Sequence, residues 1–177
     1  MVHVEHGTPM VQDAALAAED EATVTLREVT RVTVRAICRL RVAEEQREYV
    51  AENALSIAEA HFEPRAWFRA IYAGETPVGF VMLSDDPETP EYFLWRLMVD
   101  AAHQGRGYGR RAIALLVGYV RTRPAARELL VSYHPGPHSP REFYLKQGFR
   151  DTGRIEEDEV VLSLPLDGQG ASAPAAP

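Results

Sequence analysis

The stretch "HQGRGYGRR" sets Gly105, Gly107 and Gly109 among Arg106, Arg110 and Arg111, places Gln104 before them, and runs straight into an apolar segment. A strand that feeds glycines which then open a helix gathers backbone N–H groups toward one point. The positive end of the helix dipole stands behind them and no Cβ is in the way. Such a loop holds phosphate. Two phosphate loops are excluded by residue type: a Walker A loop needs Gly-Lys-Ser/Thr, which "GYGRR" lacks, and a dinucleotide fingerprint needs G-x-G-x-x-G where this chain has G-x-G-x-G. Cys38 is the single cysteine, so neither a disulfide framework nor a Cys-x-x-Cys site is available. It reads as a small core residue on an apolar stripe. His3, His6, His134 and His138 have no supporting third ligand in the sequence, and no metal is expected.

The elements that must position this loop follow from the apolar periods. "TVTLREVT" alternates as a strand, whereas "TRVTVRAICRL" and "VAEEQREYVAENALSIAEAH" change to helical spacing, with Val50, Asn53, Ala54, Ile57 and Ala58 as the inward stripe of the second. "WFRAIYAG" and "VGFVMLSD" flank "GETP" as a hairpin. "YFLWRLMVD" is a nearly continuous apolar strand, covered on both faces, that ends at the glycines. Ala112, Ile113, Leu116, Tyr119 and Val120 then mark an amphipathic helix. "ELLVSYH" is a strand, "SPREFYLKQGF" a short helix, and "EVVLSLPL" a last strand. With 177 residues, 46% of them hydrophobic, one domain over 23–166 is expected, between mobile arms at 1–22 and 167–177 that are rich in Ala, Gly, Pro and acid. A net charge of −7 and an isoelectric point near 5.4 speak against nucleic acid and for a cationic small molecule as partner. The N-terminal stretch has no basic leader and no segment is long enough to span a membrane, so a cytoplasmic protein is expected.

Gln104-x-x-Gly107-x-Gly109 resembles the signature of the GNAT superfamily of acyl-CoA-dependent N-acetyltransferases, and "FYLKQGF" at 143–149 resembles that family's second motif. The resemblance spans the whole domain. It implies a mixed α/β fold of six or seven strands, splayed between strands 4 and 5 and flanked by about four helices, with acetyl-CoA in the splay. It also implies that Gln104, Gly105, Arg106, Gly107, Tyr108, Gly109 and Arg110 grip the pyrophosphate, that Leu97, Met98 and Val99 meet the pantetheine arm and acetyl carbonyl, and that Ser139 and Lys146 touch the cofactor. Tyr144 occupies the place of the acid that protonates the leaving thiolate.

"EEQREYVAENALSIAEAHFEPRAWFRAIYAGETPVGFVML", "YFLWRLMVD" and "SYHPGPHSPREFY" narrow the resemblance to the bacterial diamine and spermidine acetyltransferase branch. Glu45, Glu48, Glu52, Glu59 and Glu63 are spaced to share one face of the second helix, where they could align an extended polyamine. An ordinary solvated face beside Arg41 and Arg47 is the plainer reading. Glu52, Glu59, Trp95 and His134 are the acceptor-binding candidates. Many polyamine-acetylating relatives have an acid where this chain has Trp95, which leaves Glu52, Glu91 or His134 as the general base. Another small-molecule or peptide amine as acceptor, or a catalytically silent acyl-CoA-binding module, are the alternatives. A homodimer is the assembly that the resemblance implies.

Overall fold

Seven strands form one sheet in the computed structural model, which describes residues 23–86 and 88–166. The arms expected at 1–22 and 167–177, with His3 and His6, lie outside these residues. The strands are β1 (Val24–Arg27), β2 (Ala66–Ala73), β3 (Thr76–Ser84), β4 (Tyr92–Val99), β5 (Glu128–Tyr133), β6 (Arg150–Glu156) and β7 (Glu159–Pro165). Their spatial order is β1-β2-β3-β4-β5-β7-β6. Every pairing is antiparallel except β4 with β5. The helices are α1 (Val34–Ile37), α2 (Asn53–Ala60), α3 (Tyr108–Val120) and α4 (Arg141–Lys146).

The central strands are buried on both sides because each face has its own core. On one face α3 contributes Tyr108, Ala112, Ile113, Leu116 and Val120, at three- and four-residue spacings, against Val81, Leu94 and Val131. Each such leucine, isoleucine or valine contributes about 1.5–3 kcal/mol when removed from water. On the other face Ile37, Phe80, Met82 and Met98 pack with Val50, Ile57 and Trp95. The C-terminal end of α3 is pinned to the end of β3: Tyr119 donates to Asp85 at 2.5 Å, Arg123 pairs with the same carboxylate at 2.8 Å, and Trp67 stacks on Tyr119 at 4.3 Å.

Three expectations are corrected. The first helix is one turn long, and its core residue is Ile37, fully buried, while Cys38 beside it is half-buried. The second begins only at Asn53, after a single 3-10 turn at Glu44–Gln46, and its inward stripe is Asn53, Ser56, Ile57 and Ala60, with Ala54 and Ala58 exposed. Tertiary contacts override helical propensity here: Val50 goes into the core and Tyr49 and Gln46 turn to the cleft described below. Strand β6 is absent from the periodic reading because all seven of its residues are exposed and carry no alternation. Its hairpin turn uses Glu157 and Asp158 at positive φ in place of the glycine or asparagine that marks such turns.

Candidate active site

Strands β4 and β5 pair through Tyr92 with Leu129, Phe93 with Leu130 and Leu94 with Val131, and through no later pair. At the point of parting β4 carries a bulge: Met82 faces Arg96 and Leu83 faces Leu94, so Trp95 is the extra residue. A bulge bends its strand and raises the local twist, which carries the rest of β4 away from β5. The parting opens a cleft of about 690 Å3. Leu97, Met98 and Val99 line it from β4, and Gln104, Gly105, Gly107, Tyr108, Gly109 and Arg110 line it from the turn that starts α3. Ser139, Tyr144 and Lys146 line it from α4 and the loop before it. Trp95 completes this set. Arg106 does not line the cleft, and its carbonyl accepts from Arg111.

The turn is built as its composition requires. Gly105 and Gly107 sit at φ +79° and +74°, and nothing lies within 4 Å of where a Cβ would stand on either, so their backbone faces open space. Gly107 caps α3, and the Gly109 and Arg110 N–H groups have no carbonyl one turn earlier inside the helix. Gly109 is small for another reason: a Cβ there would meet Phe143 at 3.2 Å, so glycine lets α3 and α4 approach. Gln104 does not turn to the glycines. Its amide donates to Val99 O at 2.9 Å and to Gln46 at 2.7 Å, tying the turn to the end of β4 and to the loop before α2. Two buried polar side-chain atoms have no partner among the described residues, Arg96 Nε and His103 Nδ1, and both residues line the cleft.

Tyr144 is 5% exposed, held edge-on between Phe143 and Phe149 at 5.3 and 5.4 Å. Burial pushes its phenol well above the ordinary value, so it carries its proton.

Residues that sequence reasoning missed close the other side. Val42, Gln46, Tyr49 and Val50 line the cleft from the irregular loop before α2. Tyr49 rests on the β5–α4 loop so closely that a Cβ on Gly136 would stand 2.2 Å from its hydroxyl. Its spacing reads as helix, and contacts from distant parts of the fold set its course instead. On β5, Ser132 also lines the cleft without having been suggested by the sequence.

Glu52, Glu59 and His134 lie outside the cleft lining. With α2 starting at Asn53, Glu45 and Glu48 precede the helix and the carboxylate row is not assembled on one face. Glu52 pairs with Arg41 at 3.6 Å, Glu59 with Arg96 at 3.4 Å and Glu63 with Arg65 at 2.9 Å. Hydrogen bonds from Arg65 hold the Glu63 carboxyl down at about 2. His134 is exposed, with Nε2 3.1 Å from Glu159.

A family model described as the acetyltransferase (GNAT) family matches residues 26–149. No curated protein matches the chain. Among solved structures, an acetyltransferase from Thermus thermophilus is 22% identical over 81% of this chain and 97% of that one, with a TM-score of 0.57. The spermidine N-acetyltransferase of Vibrio cholerae, in complex with CoA and spermine, is 17% identical over 81% of this chain and 95% of that one, at 0.64. The ribosomal-protein-S18-alanine N-acetyltransferase of Escherichia coli is 15% identical over 86% of this chain and all of that one (100%), at 0.62. These identities establish a shared fold.

Proposed function

The chain belongs to the acetyltransferase (GNAT) family of acetyl-CoA-dependent N-acetyltransferases, and from that premise we propose that it acetylates the primary amine of a small molecule in the cleft between β4 and β5. One observation carries the assignment: the same parting of strands brings the open glycine turn, the unpaired edge of β4 and the Tyr144 phenol onto one cavity. The residues fit acetyl-CoA. The N–H groups at the start of α3 and the space over Gly105 and Gly107 suit its pyrophosphate, Arg110 and Lys146 add positive charge, and Leu97 to Val99 offer backbone groups to its extended arm. When bound it supplies an acetyl thioester. The Val99 N–H, on the edge of β4 turned away from β3, would polarise the carbonyl oxygen, and Tyr144 would donate a hydrogen bond, and in the end a proton, to the leaving sulfur.

A diamine or polyamine such as spermidine is the finer reading. Its support is the sequence resemblance and the spermidine enzyme among the structural neighbours. A second reading, an acceptor without extended positive charge, is favoured by the arginine pairing of Glu52, Glu59 and Glu63. Thiol release from acetyl-CoA across diamines, spermidine, spermine, aminoglycosides and peptides separates the two. Turnover confined to polyamines establishes the first, and turnover of other amines with none of polyamines the second. CoA binding without thiol release from any amine would leave a silent binding module.

A further inference from the structure

On the face of the sheet that carries Trp95, beside the parting of β4 and β5, two side chains share one carboxylate. Glu159, the first residue of β7, accepts from Ser132 Oγ on one oxygen, and its other oxygen lies 3.1 Å from His134 Nε2. Val131 and Tyr133 point into the α3 core, so alternation puts Ser132 on the opposite face, where it lines the cleft. Glu159 and His134 stand behind it and reach solvent, with side chains 33% and 52% exposed. The order matters. The carboxylate is in the middle and the imidazole is bonded to it, which is not the hydroxyl–imidazole contact that activates a serine nucleophile. Ser132 Oγ instead has its proton committed to Glu159 and its acceptor capacity unused by any other described residue.

A primary amine of pKa about 10.4 is a free base in only roughly one molecule in a few thousand at pH 7. The acceptor therefore arrives as an ammonium and must lose a proton before it can attack. Resting on the acetyl-transfer reading, we propose that Ser132 and Glu159 remove it. The ammonium N–H proton passes to Ser132 Oγ as the Ser132 hydroxyl proton passes to Glu159. The N–H bonding pair stays on nitrogen as the attacking lone pair, and the carboxylic acid so formed releases its proton to water at its exposed edge. His134 is a positioning residue: it holds the second oxygen of Glu159 so that the first stays on Ser132. The other charges around Glu159 are Glu156, its register partner on β6 whose carboxylate Arg154 takes, and Glu157 and Asp158 in the turn before it. This places on β5 and β7 the function that Trp95 cannot serve on β4.

The fold contains its own control. Ser163 on β7 donates to Glu128 on β5 in the same cross-strand manner, and neither residue lines the cleft. The test measures kcat/KM from pH 7 to pH 10 for wild type, Ser132→Ala, Glu159→Gln and Glu128→Gln, with the best acceptor of the thiol-release panel. At pH 7 the first two variants should lose roughly 10²-fold or more with CoA affinity by calorimetry unchanged. The deficit should close as pH rises toward the acceptor's pKa, because the amine then arrives free, and Glu128→Gln should follow wild type throughout. In the absence of acetyl-CoA, adding the same amine should move the His134 ring signals by NMR in wild type and not in Ser132→Ala. A Glu159→Gln enzyme equal to wild type at pH 7, a deficit constant with pH, an equal loss in Glu128→Gln, or immobile His134 signals each overturn the relay and leave acetyl transfer standing. A wild type that releases no thiol with any amine overturns both.

Discussion

Tyr144 illustrates how one environment sets two properties at once. The packing that excludes water from its ring also makes its phenolate costly, so the proton is held across the whole working pH range. The group is thus always a donor and always a reluctant acid, which suits a hydrogen bond that becomes a proton transfer only as negative charge gathers on sulfur. Tyr144→Phe keeps the ring and its two aromatic neighbours, so it should fold and bind CoA while kcat falls roughly 10²- to 10⁴-fold. Single-turnover rates are the measurement, since slow product release would mute a steady-state loss. A Phe variant as fast as wild type in that assay would remove Tyr144 from the chemistry. Any alkaline limb of the pH profile below pH 10 should persist in Tyr144→Phe, because this phenol does not ionise there. Glu52 is a contrasting case. It is a surface partner of Arg41, 65% exposed at 3.6 Å, and such pairs are worth about 0–1 kcal/mol. Glu52→Gln should leave the KM of the acceptor within about twofold, and a rise of tenfold, reversed by no change in salt, would return it to the acceptor site.

Among the elements, the glycine turn and α3 were legible because their signals are local: three glycines in seven residues, followed by an apolar stripe at helical spacing. The loop before α2 was not. Its position is decided by Gln104 on Gln46, by Tyr49 on Gly136 and by Val50 in the core, three contacts across the fold that no window of sequence contains. The carboxylate row failed for the same reason, since its helical spacing was real and the helix was not. Ser132 escaped notice because a lone serine on a strand has no pattern until β7 brings Glu159 against it. The turn also changes what a substitution tests. Gly107→Ala adds a Cβ in open space but at a φ of +74°, which an L-residue adopts at a penalty of roughly 1–2 kcal/mol. The variant should therefore lose a few degrees of Tm as well as CoA affinity. Gly74, at φ +59° in the β2–β3 turn with nothing within 4 Å, carries the same strain away from the cleft. Gly74→Ala should lose a similar Tm and no affinity, and calorimetry on the pair isolates the ligand contribution. Equal CoA affinity in both variants would move the pyrophosphate site elsewhere.

For the whole molecule, buried phenols fix the response to alkali. Burial, and then the hydrogen bond to Asp85, push Tyr119 up to about 12, whereas the unfolded chain ionises its tyrosines near 10. Between pH 10 and pH 12 the unfolded state has lost protons that the folded state keeps, so stability falls as pH rises through that window. Below pH 10 this contribution is fully present. Thermal melts from pH 8 to pH 12 should show the decline, and Tyr119→Phe should flatten it; an unchanged slope would locate alkaline sensitivity in other groups. A separate property follows from the three residue pairs that join β4 to β5. Four strands lie on one side of that seam and three on the other, so the sheet is two plates sharing a short hinge. A ligand lying along the open edges beyond Leu94 and Val131 acts as a removable stitch between the plates. Amide exchange at residues 95–99 and 132–134 should then slow when CoA is added, by more than at the outer pairs of β1 with β2, and the cooperativity of unfolding should sharpen with occupancy. The enzyme would be mechanically one body only while it is working.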